Sequence, residues 1–346
     1  MMRAATGLAR RCAALLGDST SGVYGSRVVL LVGPGNNGGD ALFAGALLAR
    51  RGAHVVAVVA SDKVHDAGRR ALAAAHGRFV DTVDAEMASL VECADLIVDG
   101  LVGIGGRAGL TGVFAELAVL ATEGDALVVS VDVPSGIDPD TGAVAGEAIW
   151  ADVTVTFGAI KPGLVLGPGS DHVGLLDVVD IRLAPEPATP TIAMLEAEDA
   201  ARMQPHPLPT DHKYSQGVVG VLAGSVQYPG AAVLCVGGAI NTKAGLVRYV
   251  GQSAYAVVSA WPSAIVSTSR PREIGRVQAW VAGPGLGLDE DALLSIGDVL
   301  ADRLPVVIDA DALTLVADDP SLVTGRDAWT VVTPHDGEFA RLAPDL

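Results

Sequence analysis

The chain has 346 residues, half of them hydrophobic and only 4% aromatic, with a formal net charge of -17. That length supports two domains with a sizeable core, and a composition dominated by Ala, Val, Leu and Gly suits parallel sheets covered by helices. The acidic balance excludes nucleic acid as a partner, because no basic surface is left for phosphates, and no apolar run approaches the roughly eighteen residues that span a bilayer. A cytoplasmic chain without a membrane partner is expected.

In chain order, Met1 to Arg11 is basic but too interrupted for a signal peptide, and it reads as the exposed end of a helix. Strands are predicted at 27–32, 54–60, 95–99, 127–132, 152–157 and 173–178, separated by helical stretches such as 64–76 and 113–122. This is the rhythm of a doubly wound parallel sheet in three layers, a Rossmann-like α/β domain over residues 1–183. Prolines and small residues mark a linker at 184–210. A second α/β rhythm fills 211–346, with strands predicted at 218–223, 279–282, 305–309 and 329–332. At about 135 residues it is short for such a sheet, so only part of the second domain is expected. Cys12, Cys93 and Cys235 lack metal spacing and read as small buried hydrophobes in a reducing compartment.

The most informative run is Gly33-Pro34-Gly35-Asn36-Asn37-Gly38-Gly39-Asp40, between the strand 27–32 and a helix predicted at 41–50. Glycines let a ligand approach the backbone, and the helix start adds partial positive charge, so phosphate is a natural guest. Gly33, Gly35 and Gly38 match Gly-x-Gly-x-x-Gly, with Asp62 as the acidic residue after the second strand, which would suit an NAD-dependent oxidoreductase. The asparagines and Asp40 add oxygens that a plain backbone cradle does not need.

In open α/β sheets ligands bind beyond the carboxyl ends of strands. Asn36 and Asn37, Asp99, and Asp132 with Ser135 all fall at such ends, giving an all-oxygen set suited to a hard cation, although each alone also serves as a cap or turn former. After Asp99 comes a second glycine-rich loop, Gly103-Ile104-Gly105-Gly106-Arg107-Ala108-Gly109, able to clasp phosphates, with Arg107 as a charge partner. Lys161 follows another strand and faces either this crevice or solvent.

Gly33 to Asp40, Val98-Asp99 with Gly103-Ile104-Gly105, and Val131-Asp132-Val133-Pro134-Ser135-Gly136 resemble, in order, the three signatures of the NAD(P)H-hydrate epimerase family of YjeF N-terminal type. The resemblance implies potassium bound by Asn37, Asp99 and Ser135. It implies substrate contacts from Asn36, Asn37, Gly38, Gly39 and Asp40, from Gly103, Ile104, Gly105, Gly106, Arg107, Ala108 and Gly109, and from Asp132. Epimerisation at the hydroxyl-bearing C6 of a hydrated nicotinamide needs proton transfer, and Asp132 is the candidate acid/base residue. A homo-oligomer is expected, although members of the family usually carry a further helix before the segment resembling Met2 to Gly7.

In the second half, Asp211 to Gly217, Tyr228-Pro229-Gly230-Ala231, Gly283-Pro284-Gly285-Leu286-Gly287, Asp309-Ala310-Asp311 and Thr333-Pro334-His335-Asp336-Gly337-Glu338 flank predicted strands. Singly these are turn chemistry. Together they resemble the ADP- or ATP-dependent NAD(P)H-hydrate dehydratases of the ribokinase-like family, over residues 196–346. That implies substrate contacts at Ala231, Gly287 and His335, and ADP or ATP with Mg2+ to phosphorylate the hydrate before phosphate is eliminated. The family's later lysine-containing segment and Gly-Thr-Gly-Asp motif have no counterpart before Leu346, so little dehydratase activity is expected. The expected function is repair of hydrated nicotinamide cofactors by an isomerase joined to a lyase. An NAD-dependent oxidoreductase and a non-catalytic nucleotide-binding module are the alternatives.

Overall fold

From Val28 onward β1 (Arg27–Val32) is buried along its whole length. Val28, Leu30 and Val32 enter one hydrophobic cluster, while Val29 and Leu31 enter another. A strand buried on both faces needs helices above and below it, and a parallel sheet supplies them. The computed structural model describes residues 1–19, 22–81, 87–106, 108–183, 192–204, 208–210, 212 and 214–344. They divide into two units, Met1–Met194 and Leu195–Leu346.

The first unit runs α1 (Met2–Ser19), β1, α2 (Asn36–Ala49), β2 (His54–Val59), α3 (Asp66–Ala74), β3 (Arg78–Asp81), α4 (Met87–Glu92), β4 (Leu96–Gly100), α5 (Val113–Glu123), β5 (Leu127–Val131), β6 (Val153–Phe157) and β7 (Leu175–Val179). Its seven strands pair in the order β3-β2-β1-β4-β5-β6-β7, all parallel. The order reverses between β1 and β4, the switch point at which such sheets open a crevice.

Two expectations change here. The basic N-terminal stretch is no exposed helix end: Ala5, Leu8, Cys12 and Leu16 of α1 are fully buried, because they recur at helical spacing on one face. Cys93 is exposed, whereas Cys12 is buried and Cys235 partly so.

The second unit runs α6 (Ala197–Met203), β8 (Val218–Leu222), α7 (Pro229–Asn241), β9 (Leu246–Val250), α8 (Ala254–Ala260), β10 (Ile265–Ser267), β11 (Ala279–Ala282), α9 (Glu290–Ala301), β12 (Val306–Ile308), α10 (Asp311–Asp318), β13 (Thr330–Val332) and α11 (Asp336–Leu342). Its sheet is again wholly parallel, ordered β10-β9-β8-β11-β12-β13, so here too the order reverses beside the first strand. At its margin β13 carries Val331 and Val332 about half exposed, beside Trp329 at 83%. Among the described residues no helix is long and apolar enough to cross a membrane.

Candidate functional site

The first site is built on the β1–α2 turn. Gly33 N donates to Gly100 O at 3.0 Å, and a Cβ on Gly33 would lie 1.7 Å from Leu101 O. Gly35 takes φ 87°, and a Cβ on Gly38 would lie 2.4 Å from Gly33 O. Only glycine allows this close approach of β1, β4 and α2. Gly33→Ala is therefore expected to destabilise the protein by about 3 kcal/mol or more, checked by urea unfolding.

α2 starts at Asn36, not at Ala41, so Asn36 to Asp40 form its first turn. The free N–H groups of that turn point out of the helix end, where an anion is stabilised. Asn36 is exposed, Asn37 half-buried, and Gly38, Gly39 and Asp40 are buried. A Cβ on Gly39 would meet the His65 ring at 2.8 Å. Asp62, beyond β2, is exposed.

Asn37, Asp99 and Ser135 come together. Asn37 Nδ2 donates to Val131 O at 2.7 Å and Val102 O at 3.2 Å. Asp99, in β4, has no exposed surface. Its Oδ1 accepts from Ser135 Oγ (2.6 Å) and Leu101 N (3.2 Å), and its Oδ2 from Ser130 Oγ (2.8 Å) and Ser135 N (2.9 Å). Burial pushes the Asp99 carboxyl upward, while these hydrogen bonds hold it down. Every donor is neutral, and no basic side chain pairs with Asp99 among the described residues.

The second glycine loop closes over the same end of the sheet. A Cβ on Gly103 would lie 2.6 Å from Asn37 Oδ1. Gly109, at φ 82°, donates its N–H to Gly136 O at 2.8 Å. Ile104 and Gly105 are exposed, and Gly106 and Ala108 half-buried. Arg107 lies outside the described residues.

Asp132 follows β5 at φ 67°, a left-handed conformation that aspartate tolerates better than most residues. Its Oδ1 accepts from Thr156 Oγ1 (3.1 Å), Phe157 N (3.0 Å) and Lys161 Nζ. Lys161 Nζ also donates to Thr156 Oγ1 (2.9 Å) and Phe157 O (3.1 Å), so its three donors are all engaged. Lys161 thus faces the crevice, not solvent. The second carboxylate oxygen of Asp132 carries no such bond and is not among the buried atoms left without a partner, so it opens to the crevice. Ser130 and Thr156 join the site from inside buried strands, where no turn motif marks them in the sequence. The signal was a buried strand that alternates Val and Thr at Val153-Thr154-Val155-Thr156.

In the second unit the predicted contacts follow β8, β11 and β13 at one end of the sheet, with β12 between the last two. Ala231 lies in the first turn of α7 after β8, Gly287 follows β11, and His335 follows β13. A Cβ on Gly285 would lie 2.7 Å from Ala231 Cβ, which locks the two loops together, and Gly287, at φ 88°, donates its N–H to Asp311 Oδ2 at 2.8 Å. His335 caps α11: Nδ1 accepts from Gly337 N at 3.0 Å, while Glu338 accepts from His335 N at 3.0 Å. The His335 side chain is otherwise exposed. Asp211 and Lys213 lie outside the described residues.

Residues 1–163 match the family described as YjeF-related protein N-terminus, and residues 219–346 match the NAD(P)H-hydrate dehydratase family. The bifunctional NAD(P)H-hydrate repair enzyme Nnr of Mycobacterium tuberculosis is 47% identical over 344 residues, covering 99% of this chain and 70% of that protein. Its counterpart in Corynebacterium glutamicum is 33% identical, covering 92% of this chain and 65% of that protein. A solved ADP/ATP-dependent NAD(P)H-hydrate dehydratase from Bacillus subtilis, co-crystallised with ATP and Mg2+, is 28% identical, covers 42% of this chain and 54% of its own, and gives a TM-score of 0.36.

Proposed function

The chain belongs to the family of bifunctional NAD(P)H-hydrate repair enzymes, and we propose that its first unit interconverts the R and S epimers of NAD(P)H hydrate with potassium bound, while its second dehydrates the S epimer. The observation that carries the first step is the Asp132–Lys161 pair. One carboxylate oxygen is fixed by three donors and the other is open beside a glycine-lined helix start. The helix start takes the pyrophosphate, and Asp132 moves a proton at the C6 hydroxyl.

Potassium fits the donor set. Asp99 is a fully buried carboxylate with only neutral partners, and such a charge is costly unless a cation accompanies it. The Asn37 amide and Ser135 hydroxyl complete an oxygen-rich shell for a hard monovalent ion. When bound, the ion supplies positive charge that neutralises Asp99 and aids the pyrophosphate.

In the second unit, Ala231, Gly287 and His335 would contact the hydrate, with ADP or ATP and Mg2+ as co-substrate. The C6 hydroxyl oxygen takes the terminal phosphoryl group, then phosphate leaves C6 as C5 gives up a proton, restoring the reduced cofactor.

The test supplies the R epimer of NADH hydrate to the purified chain in potassium or in sodium, with separation of the epimers over time. Faster appearance of the S epimer with potassium is expected. Equal rates in both salts would remove the cation assignment, and no conversion by folded protein would remove the epimerase assignment. Addition of ADP or ATP with Mg2+ to the S epimer, followed by NADH absorbance, tests the second unit, from which slow turnover is expected because no Gly-Thr-Gly-Asp counterpart is present in the sequence.

A further inference from the structure

Among the described residues, Asp40 is the one carboxylate with a buried oxygen, Oδ1, that accepts no hydrogen bond, and the residue is only 7% exposed. It stands three residues after Asn37, on the same face of α2. Because Asn37 Nδ2 reaches Val131 O, that face meets the end of β5, where Asp132 follows. Two carboxyl groups therefore share one crevice, and of the two only Asp132 is held in an ion pair.

We propose that Asp40 is a second catalytic residue of the first unit, a carboxylic acid that protonates the departing C6 hydroxyl while the Asp132 carboxylate accepts a proton from the incoming water. The assignment rests on the epimerase reading. The C6–O bond breaks as the ring nitrogen's lone pair closes a C6=N1 bond, and the hydroxyl leaves as water with the proton of Asp40. A second water forms a new C6–O bond on the opposite ring face, its proton passes to Asp132 Oδ2, and the C6=N1 electron pair returns to N1. Nothing is oxidised or reduced, and solvent restores both protons between turnovers.

The surroundings set the roles apart. Asp132 is ion-paired with Lys161. Burial, and to a smaller degree the charge of Asp132, pushes the Asp40 carboxyl up to about 6, against the opposing Met1 ammonium before α1. The other titratable groups on elements packed against α2 are Arg3, Arg10, Arg11, Cys12 and Asp18 of α1, His65 at the start of α3 with Asp66, Arg69 and Arg70 in it, and Asp99 in β4, whereas Arg27 of β1 and His54 of β2 lie at the far ends of their strands. An ion-paired carboxylate facing a buried carboxyl without a partner is a pairing suited to a base and an acid at one site.

The experiment measures epimerisation by the full chain from pH 5 to 8, for wild type and for Asp40→Asn, in ordinary and oxygen-18 water. Wild-type activity should fall as pH rises through about 6, each turnover leaving one labelled oxygen at C6. Asp40→Asn should lower kcat by about 10²-fold, with KM little changed and that falling limb lost. A variant within two-fold of wild type, or one that is slow but keeps the limb, overturns the assignment while leaving the epimerase reading intact. A wild type that does not interconvert the epimers overturns both. Should Asp40→Asn fail to fold, the wild-type chain alone decides: no falling limb, or unlabelled oxygen retained at C6, overturns the proposal.

Discussion

Asp132→Asn is expected to slow epimerisation by about 10²- to 10⁴-fold with the fold kept. The argument has two parts. Asparagine is among the few residues that accept a φ of 67° readily, so the turn after β5 survives. Its amide oxygen can still receive Thr156 Oγ1, Phe157 N and Lys161 Nζ, but the open atom becomes an NH2 group, which cannot take a proton. Alanine would confound the test by adding backbone strain and by removing the acceptor of Lys161 Nζ, Thr156 Oγ1 and Phe157 N altogether. Epimer separation gives the rate, and circular dichroism confirms the fold. A loss smaller than ten-fold would place the acid/base chemistry elsewhere.

The second large effect is on stability. Asp99→Ala removes the acceptor for Leu101 N, Ser135 N and Ser130 Oγ at a site with no exposed surface. Ser135 Oγ keeps a partner in Val102 O at 3.0 Å. Each stranded donor costs about 1–3 kcal/mol, and relief of the buried charge offsets part of that, so a net loss of about 3 kcal/mol is expected. For a unit of this size that is a fall of about 6–12 °C in Tm. Calorimetry of the full chain should show the lower transition only for the first unit. Potassium should raise its Tm in wild type and leave the variant unmoved, since an ion that binds only the folded state stabilises it by mass action.

Strands with a strong apolar run were legible in the sequence. Val28 to Val32 and Val128 to Val131 announce themselves because both faces of a parallel strand are buried. Others were not: β3 has charged residues at both ends, β9 carries Arg248 in its middle, and β10 has three residues at a sheet margin. The start of α2 was misplaced because Asn-Asn-Gly-Gly is poor helix sequence, and contacts with Gly33 and His65, not propensity, fix it. The oxygen cluster of Asn37, Asp99 and Ser135 could be inferred from strand ends. The Lys161–Asp132 pair could not, because 29 residues separate them and only the β5–β6 pairing brings them together.

The open margin at β13 bears on how this chain behaves when concentrated. Among the described residues β13 pairs on one side only, and Val331, Val332 and Trp329 make that margin apolar, the kind of template on which a further strand can add. Val331→Lys would put a charge on that margin and oppose such pairing.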